Sequence, residues 1–488
     1  MTGLLVSLAS CERRVDLTVL VEPGLEAQWD SLVAAHPLPE PFAVSSAEGA
    51  DPVIRLFHRG PMDSDEDGTS GASGTTPIVF ERQWLAPVVS IADPREEVSN
   101  SDLDSVDLAE FDDIAPPLKA LAVDGLVVGD QGYPLVSDTV VAFSPERIPE
   151  RTRDEERALL TEWYLGLRHE LPAPEVFWVG AVGDIMPGRG VTELLDRADG
   201  LELVLGDLVP YLQGADLLIG NFEGAITTRG TPLEKSYTFR LNPRVLGPLV
   251  RAGFDYLSLT NNHSFDYGLV GFTDSLDHLA EAGIATSGVG MTIEEASIPS
   301  FFTFGASDVA VLSVGAYPAE QSGFDGAVVA AAGPAKPGVL WAGQGDSLYE
   351  TALQAMRSAF SNDTFDIVVV HGGREWAVEP DQWQRERYES FIDAGADLVL
   401  GSHSHVLQGL EAYDGSIIAH SLGNFIFPGM YGTDYGEESA ILLLGVSRGV
   451  VRYVRFVPVR INHQTVARDT GDAIINRFFA ATAALNGE

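Results

Sequence analysis

The sequence predicts an α/β protein, and three observations lead to that fold class. From Phe177 to about His463, apolar strand-like runs alternate with helical stretches, as strands alternate with crossover helices. The runs are continuously apolar, which is typical of strands that are buried on both faces of a parallel sheet. Five of them end in a short polar motif, at the sheet edge where α/β proteins collect their ligands.

The first region of the chain, residues 12–172, is predicted to be a smaller α/β domain. Pro61–Thr76 within it lacks apolar periodicity, which predicts an exposed loop. Its acidic residues could suggest a calcium site, but they fit the EF-hand pattern poorly, so a solvated loop is the preferred interpretation. The segment from Leu85 to Asn100 resembles part of the phosphate-type periplasmic solute-binding proteins, which implies a lobe of that kind. The remaining elements predicted here are strands at Val15–Val21, Val53–Phe57, Leu121–Val128 and Thr139–Phe143 and helices at Glu26–Ala35 and Arg151–Arg168.

The second predicted domain, residues 173–488, begins after the Pro-punctuated segment 171–174. Arg448-Gly449 predicts the turn of an antiparallel hairpin between Ala440–Val446 and Val450–Val459. The strands that end in polar motifs are predicted at Phe177–Val182, Leu217–Ile219, Tyr256–Thr260, Ile367–Val370 and Leu398–Leu400. Helices are predicted at Val191–Arg197, Asn242–Ala252, Phe272–Ala282, Ser347–Phe360, Asp381–Ala394 and Asp472–Leu485.

The charge of the chain excludes several classes of partner. Its formal net charge is -41, whereas binding to nucleic acid requires a basic face that neutralises phosphates. The same charge disfavours docking on anionic lipid headgroups. An acidic surface of this kind fits a saline habitat or the codon bias of a GC-rich genome, and the sequence does not separate the two.

The only cysteine, Cys11, excludes intramolecular disulfides. It follows a short apolar run, and Leu8-Ala9-Ser10-Cys11 resembles the lipobox of bacterial lipoproteins, although no basic segment precedes it. Residues 1–11 are therefore interpreted as a truncated signal sequence. The interpretation implies an extracytoplasmic protein of the cell envelope, held at the membrane only by a lipid on Cys11. The alternative is a small buried cysteine at the end of the chain.

The polar motifs that follow the strands predict a centre for divalent transition-metal ions. Carboxylate and amide oxygens mixed with imidazoles suit such ions. Four of the ten histidines lie at predicted strand ends, which scattered histidines would have no reason to do. The motifs are Gly183-Asp184, Gly220-Asn221-Phe222-Glu223, Asn261-Asn262-His263, His371-Gly372-Gly373 and Gly401-Ser402-His403-Ser404-His405.

Taken in order, these motifs resemble the CapA family of capsule, or poly-γ-glutamate, synthesis proteins. Two further stretches add to the resemblance, Asp266-Tyr267-Gly268 and Ser421-Leu422-Gly423-Asn424-Phe425. That family is similar to the calcineurin-like metallophosphoesterases. The resemblance implies a four-layer α/β/β/α sandwich with a two-metal centre that holds manganese, iron or zinc.

The resemblance also implies roles for individual residues. Asp184 and His405 would bind one metal, while Asn262, His371 and His403 would bind the other, with Glu223 between them. His263 would protonate the leaving group, and Asp266 could orient its imidazole or raise its pKa. Arg189 would contact an anionic substrate, and Arg240 is a second candidate for that contact.

Two functions are compatible with these residues. The first is a metal-dependent hydrolase that cleaves a phosphoester or an isopeptide bond of an anionic surface polymer through a two-metal-activated water. The second is a non-catalytic factor for polymer binding, export or assembly within the capsule-polymer synthesis machinery. Met186 favours the second, because calcineurin-like enzymes usually carry histidine there, and His263 favours the first. A solute receptor formed by the N-terminal region is a third interpretation.

Overall fold

The structure is a computed structural model, and it describes residues 15–22, 25–39, 42–46, 54–59, 77–150, 152–168 and 171–488. The lipobox interpretation of residues 1–11 and the loop predicted at Pro61–Thr76 lie outside the described residues.

The described residues up to 168 form short strands and two α-helices. In chain order these are β1 (Val15–Val21), α1 (Glu26–Ala35), β2 (Phe42–Ser46), β3 (Ile54–Arg59), β4 (Ile78–Ser90), β5 (Glu97–Val98), β6 (Asp107–Glu110), β7 (Leu118–Ala120), β8 (Ala122–Val123), β9 (Val136–Phe143) and α2 (Asp154–Leu165).

The chain from residue 171 onwards alternates strands and helices. In order these are β10 (Phe177–Ile185), α3 (Val191–Leu195), α4 (Gly200–Leu205), α5 (Val209–Gln213), β11 (Leu217–Phe222), β12 (Ala225–Ile226), β13 (Arg240–Leu241), α6 (Leu246–Ala252), β14 (Phe254–Ser258), α7 (Gly268–Ala282), β15 (Val289–Gly290), α8 (Ile293–Ala296), β16 (Ser300–Phe304), β17 (Ser307–Ala316), α9 (Gly326–Val329), β18 (Gly338–Val339), α10 (Asp346–Ala359), β19 (Thr364–Gly372), α11 (Gln382–Asp393), β20 (Leu398–Ser402), β21 (Leu407–Tyr413), β22 (Ser416–Leu422), β23 (Asn424–Ile426), β24 (Glu438–Ser447), β25 (Val450–Asn462), β26 (Thr465–Arg468) and α12 (Asp472–Asn486). Short 3-10 helices cover Asn100–Ser105, Phe111–Asp113, Pro145–Arg147, Gly206–Leu208 and Pro243–Val245.

The chain divides into two compact units. The first takes its described residues from 1–86, 108–112 and 126–174, and the second contains 87–107, 113–125 and 175–488. In the first unit, β1 pairs in parallel with β2 and β3, while β9 pairs antiparallel with β3 and β4. Its core packs α1 and α2 on this sheet through Leu32, Leu56, Val141, Leu160 and Tyr164. The domain boundary predicted at 172/173 and the likeness to a solute-binding lobe stay predictions.

The second unit is a sandwich of two sheets. One sheet has the strand order β14-β11-β10-β24-β25-β26, with β23 also paired to β10, and the other has the order β16-β17-β19-β20-β22-β21. Strands β10, β11 and β14 run parallel to one another, as do β17, β19, β20 and β22. The carboxyl ends of two sets of parallel strands are therefore available to build a site.

Alternate residues along each central strand face different cores, which makes four layers. In β19, Ile367 packs between the two sheets, while its neighbour Val368 packs against α10 and α11. In β11, Ile219 packs between the sheets, while Leu218 faces the layer that contains α3–α7. Because side chains of a strand alternate between faces, helices on both outer surfaces explain why these strands are continuously apolar. The predicted four-layer α/β/β/α sandwich is confirmed.

Local predictions from the sequence hold with small differences in length, and one strand is wrong. The hairpin of β24 and β25 turns at Arg448 and Gly449, both with positive φ, as predicted. No single strand covers Leu121–Val128, because Asp124 (φ 49°) and Gly125 (φ 82°) turn the chain directly after β8.

Within the described parts of the chain, no helix combines the length and the apolar character that crossing a membrane requires.

Candidate metal centre

The polar motifs predicted from the sequence meet at the carboxyl ends of strands from both sheets. Asp184 lies at the end of β10, and Glu223 directly follows β11. Asn262 and His263 lie in the loop after β14. The second sheet contributes His371 from the end of β19, and His403 and His405 from the loop after β20. The five motifs thus come from two facing sheets and not from the edge of one.

The centre of this site is a group of three buried residues, Asp184, Glu223 and His371, whose nearest ligand atoms all lie within 4.8 Å of one another. His405 completes it on one side, with Nδ1 3.1 Å from Asp184 Oδ2 and Nε2 3.8 Å from Glu223 Oε1. Such a set of hard oxygens and imidazole nitrogens fits a divalent metal ion.

Unpaired polar atoms in this group support that fit. Both carboxylate oxygens of Glu223 and His403 Nε2 are buried without a hydrogen bond, and Asp184 Oδ2 has only its ion-pair contact with His405 Nδ1. Buried polar atoms are normally satisfied, because leaving one unpaired costs about 1–3 kcal/mol. Buried acceptor-type atoms left unpaired on residues of these motifs are what ligands of a cation would look like.

The charge of the carboxylates leads to the same conclusion. Burial raises the pKa of Glu223 well above its usual value, and the nearby Asp184 carboxylate raises it further. Burial alone would lower the pKa of His405, but the Glu223 and Asp184 carboxylates reverse the effect and raise it to about 10. Negative charge is thus concentrated where a cation would relieve it.

A second cluster surrounds His371 and His403. His403 Nδ1 lies 3.1 Å from His371 Nε2, and the same His371 nitrogen lies 3.1 Å from Asn262 Oδ1. Burial lowers the pKa of both imidazoles well below the usual value, and neighbouring histidines add to the shift. Both rings are therefore neutral, which is the form that ligates a metal.

The two clusters are joined by Asn221, which the sequence placed in a motif without a role. Its Nδ2 donates to Asp184 Oδ1 at 2.8 Å and lies 3.1 Å from His371 Nδ1. Asn261 Nδ2 donates in turn to Asn221 Oδ1 at 3.0 Å. On the other side, Asn424 Oδ1 lies 2.9 Å from His405 Nδ1. These amides fix the orientation of the rings and carboxylates around the centre.

The Asn262-His263 motif places a hydrogen-bonded histidine beside the carboxylates. His263 Nδ1 lies 2.7 Å from Asp266 Oδ2, and its Nε2 lies 3.7 Å from Glu223 Oε1. Burial lowers the pKa of His263, although Asp266 opposes that shift. Because Asp266 occupies Nδ1, the nitrogen that faces the centre is Nε2.

Arg189 and Arg240 line a pocket of about 360 Å³ together with Met186, Tyr237 and Phe239. The Phe239 ring lies between His263 and Arg189. Its centroid is 4.2 Å from that of the His263 ring and 5.8 Å from the Arg189 guanidinium carbon. Arg240 is exposed and stacks over Tyr267 at 4.8 Å. The pocket therefore holds two cations, and Phe239 in its wall connects Arg189 to His263. Met186 is buried and packs in the core that faces α3–α7.

The chain matches the family described as "Bacterial capsule synthesis protein PGA_cap" over residues 179–429, which is just over half of its length. The four-layer sandwich and its buried Asp, Glu and His group define the class, an α/β protein with a candidate metal centre. The match then identifies the family within that class. The chain belongs to the PGA_cap family, so the predicted family is confirmed.

Three relatives are similar to more than half of the chain. The PGA biosynthesis protein CapA of Bacillus subtilis is 28% identical over 302 residues, which are 62% of this chain and 76% of the relative. The capsule biosynthesis protein CapA of Bacillus anthracis is 32% identical over 286 residues, 57% of this chain and 66% of the relative. A probable polyglutamine synthesis accessory protein of Mycobacterium tuberculosis is 27% identical over 338 residues, 60% of this chain and 87% of the relative.

Two solved structures resemble the chain, both with low TM-scores. One is a novel phosphatase from Mycoplasma pneumoniae, with a TM-score of 0.38 and 13% identity, covering 61% of this chain and 96% of that chain. The other is TT1561 of Thermus thermophilus, with a TM-score of 0.32 and 14% identity, covering 56% of this chain and 100% of that chain.

Proposed function

We propose that this protein is a metal-dependent hydrolase that cleaves a phosphoester or isopeptide bond in an anionic polymer of the cell surface. One observation carries the proposal: unpaired carboxylate and imidazole atoms converge beside a histidine that is itself oriented by a carboxylate. The capsule-synthesis relatives support a surface polymer as the class of substrate.

Residues of the two clusters would hold the metal ions. Asp184 and His405 form one group and Asn262, His371 and His403 the other, while Glu223 lies beside the first and near His263. Divalent ions held there would lower the pKa of a water and neutralise charge on the reacting oxygen.

The side chains around the centre provide the remaining chemistry. Asp266 holds Nδ1 of His263, so Nε2 is the atom that would pass a proton to the leaving group. Arg189 and Arg240 would bind acidic groups of the polymer that flank the scissile bond. Their charge matters because the net charge of -41 repels a polyanion at long range.

We also propose that a lipid on Cys11 holds the protein at the outer face of the membrane. This location belongs to the proposal, and mass spectrometry of the protein from its native membrane would test it by detecting a diacylglyceryl thioether.

The alternative is a non-catalytic factor that binds polymer during export or assembly. Met186 favours it, because a methionine at that position removes one ligand that calcineurin-like enzymes usually have. The two functions differ in what His263 does: a binding factor has no use for a proton donor beside its metal site.

Metal content and turnover of one set of variants separate the two functions. We would measure manganese per chain and hydrolysis of a generic phosphodiester and of a γ-glutamyl polymer, using wild type, His263→Gln and His278→Gln. His278 is the matched control, because it lies on α7 beside Glu281 and away from the centre. A hydrolase should retain its manganese in His263→Gln and lose turnover by about 10²–10⁴-fold.

Other outcomes decide against the proposal. Bound manganese with no turnover of either substrate would favour the binding factor. A wild-type protein that takes up no manganese would refute the metal centre altogether. Equal turnover in wild type and His263→Gln would remove His263 from the mechanism.

A further inference from the structure

The side-chain amide of Asn262 has a defined orientation at the metal centre. Its Oδ1 faces His371 Nε2 at 3.1 Å, and its Nδ2 donates to Glu320 Oε1 at 3.1 Å. The two ends of an asparagine amide have nearly the same shape, so its hydrogen-bond partners decide which end faces which way. Only the oxygen end can ligate a cation.

Glu320 is held in place by contacts on both of its oxygens. Oε1 also accepts from Lys235 Nζ at 2.8 Å, and Oε2 accepts from Ser322 Oγ at 3.0 Å. Its own backbone is fixed by a tight turn, in which Glu320 N donates to Phe324 O and Gly323 N donates to Glu320 O. The carboxylate can therefore act as a rigid acceptor for the amide.

Lys235 connects the Glu320 carboxylate to Asp266, the residue that holds His263. Its ammonium is buried, with the side chain only 1% exposed, and it also donates to Asp266 Oδ1 at 2.8 Å and to the carbonyl of Asn262 at 2.6 Å. One cation thus contacts both Glu320, which holds Asn262, and Asp266, which holds His263. An ammonium with three acceptors matches its three donors.

We propose that Glu320 is a positioning residue that turns the Asn262 oxygen towards the metal centre, and that Lys235 holds Glu320 and Asp266 in the required places. The inference rests on the proposed function, because it takes Asn262 to be a metal ligand. Partners of this kind, which do not touch the metal, typically change its affinity 10–100-fold when they are removed.

The conservative variant separates orientation from charge. Glutamine at position 320 can keep its oxygen towards Asn262 and Lys235 while its amide nitrogen donates to Ser322. Alanine leaves the Asn262 amide free to turn. We therefore expect Glu320→Ala to bind manganese about 10–100-fold more weakly than wild type, and Glu320→Gln to bind within a few-fold of it.

The measurement is calorimetric titration of the full-length chain with Mn²⁺. Glu350→Gln is the matched control, since this exposed glutamate on α10 pairs with the exposed Arg357 of the same helix. Equal affinity of wild type and Glu320→Ala would overturn the proposal. A loss as large in Glu320→Gln as in Glu320→Ala would also overturn it, because charge and not orientation would then be responsible.

A second measurement keeps the inference testable if the proposed metal centre fails. In metal-free protein labelled with ¹⁵N-asparagine, the side-chain amide signal of Asn262 is the one that disappears in Asn262→Asp. That signal should shift in Glu320→Ala and stay unchanged in Glu350→Gln. An unchanged signal in Glu320→Ala would refute the hydrogen bond, whereas a wild type that binds no Mn²⁺ would refute only the proposed function.

Discussion

Replacing Glu223 by glutamine should change the stability of the protein in opposite directions with and without a divalent metal. Both carboxylate oxygens of Glu223 are buried and unpaired, and Asp184 lies close to them. Without metal, the substitution replaces a carboxyl group whose charged form is disfavoured by burial and by Asp184. Since an unsatisfied buried polar group costs about 1–3 kcal/mol and an amide remains polar, we expect a gain of about 1 kcal/mol in the free energy of unfolding.

With metal the sign reverses, because the substitution weakens a ligand. A metal at 1,000 times its dissociation constant stabilises wild type by about 4.1 kcal/mol. If Glu223→Gln binds about 100-fold more weakly, the same concentration stabilises the variant by about 1.4 kcal/mol. The variant therefore loses about 2.7 kcal/mol of metal stabilisation, and after its gain of about 1 kcal/mol it remains about 1.7 kcal/mol less stable.

The assay is urea unfolding of both proteins, first with a chelator and then with excess Mn²⁺. Glu411→Gln is the matched control, because Glu411 is also buried but contacts His420 at 2.7 Å and bonds to Arg385. That variant should be destabilised to the same extent in both solutions. If Glu223→Gln had the same sign in both, the reasoning from unpaired oxygens to a metal centre would be refuted.

Two further predictions concern a buried cation and the anion pocket. The Lys119 ammonium is buried without a hydrogen bond, and burial lowers its pKa from 10.5 to about 8. A base with a lowered pKa destabilises the fold below pH 8 and less so as pH rises towards 10.5. The lowered pKa corresponds to about 3.4 kcal/mol, and the contact of the Lys119 ammonium with the Phe479 ring offsets about 1 kcal/mol of this. In urea unfolding, Lys119→Met should therefore gain about 2 kcal/mol in the free energy of unfolding at pH 7 and almost nothing at pH 10.5. An equal gain at both pH values would contradict this. Arg189→Ala should raise KM for an anionic polymer about tenfold, as expected for the loss of roughly 1.4 kcal/mol of charge-assisted binding, and a kinetic assay in which KM for a neutral substrate also rose tenfold would argue against a role in charge recognition.

The sequence predicts the strands that matter for the site better than it predicts the sheets. Strands β10, β11, β19 and β20 are recognisable because each is apolar and ends in a polar motif. β17 lies between β16 and β19 in the second sheet but ends in Gly315-Ala316, so nothing marked it as part of the site's framework. Division of the motifs between two sheets depends on strand pairing, which a single strand's composition does not encode.

The residues behind the site were missed for a related reason. Lys235 and Glu320 lie 85 positions apart, and each contacts the Asn262-His263 motif only because separate loops meet there. A lone lysine or glutamate in a loop is ordinarily a solvated charge. The one available signal was that lysine is rare in this chain, and rarity alone does not indicate burial.

Backbone conformation at the histidine loop shows how the fold prepares the site before any ion binds. His403 and His405 both have positive φ, 95° and 60°, a conformation that costs a non-glycine residue about 1–2 kcal/mol. The turn is held by Ser404, whose carbonyl accepts from Trp376 N at 2.8 Å and whose hydroxyl donates to Ser421 Oγ at 2.8 Å.

The consequence of that turn is that the two rings serve different clusters. Their centroids are 6.2 Å apart, with His403 beside His371 and His405 beside Asp184. In an extended strand, residues two apart would present their side chains to the same face in parallel. The strained turn instead aims one ring at each group of ligands. Backbone strain persists only where the surrounding structure enforces it, and here the hydrogen bonds of Ser404 enforce it. The same turn places the histidine rings beside buried ligand atoms that are unpaired. A bound cation would therefore compensate both for the strain in the loop and for the charge in the centre.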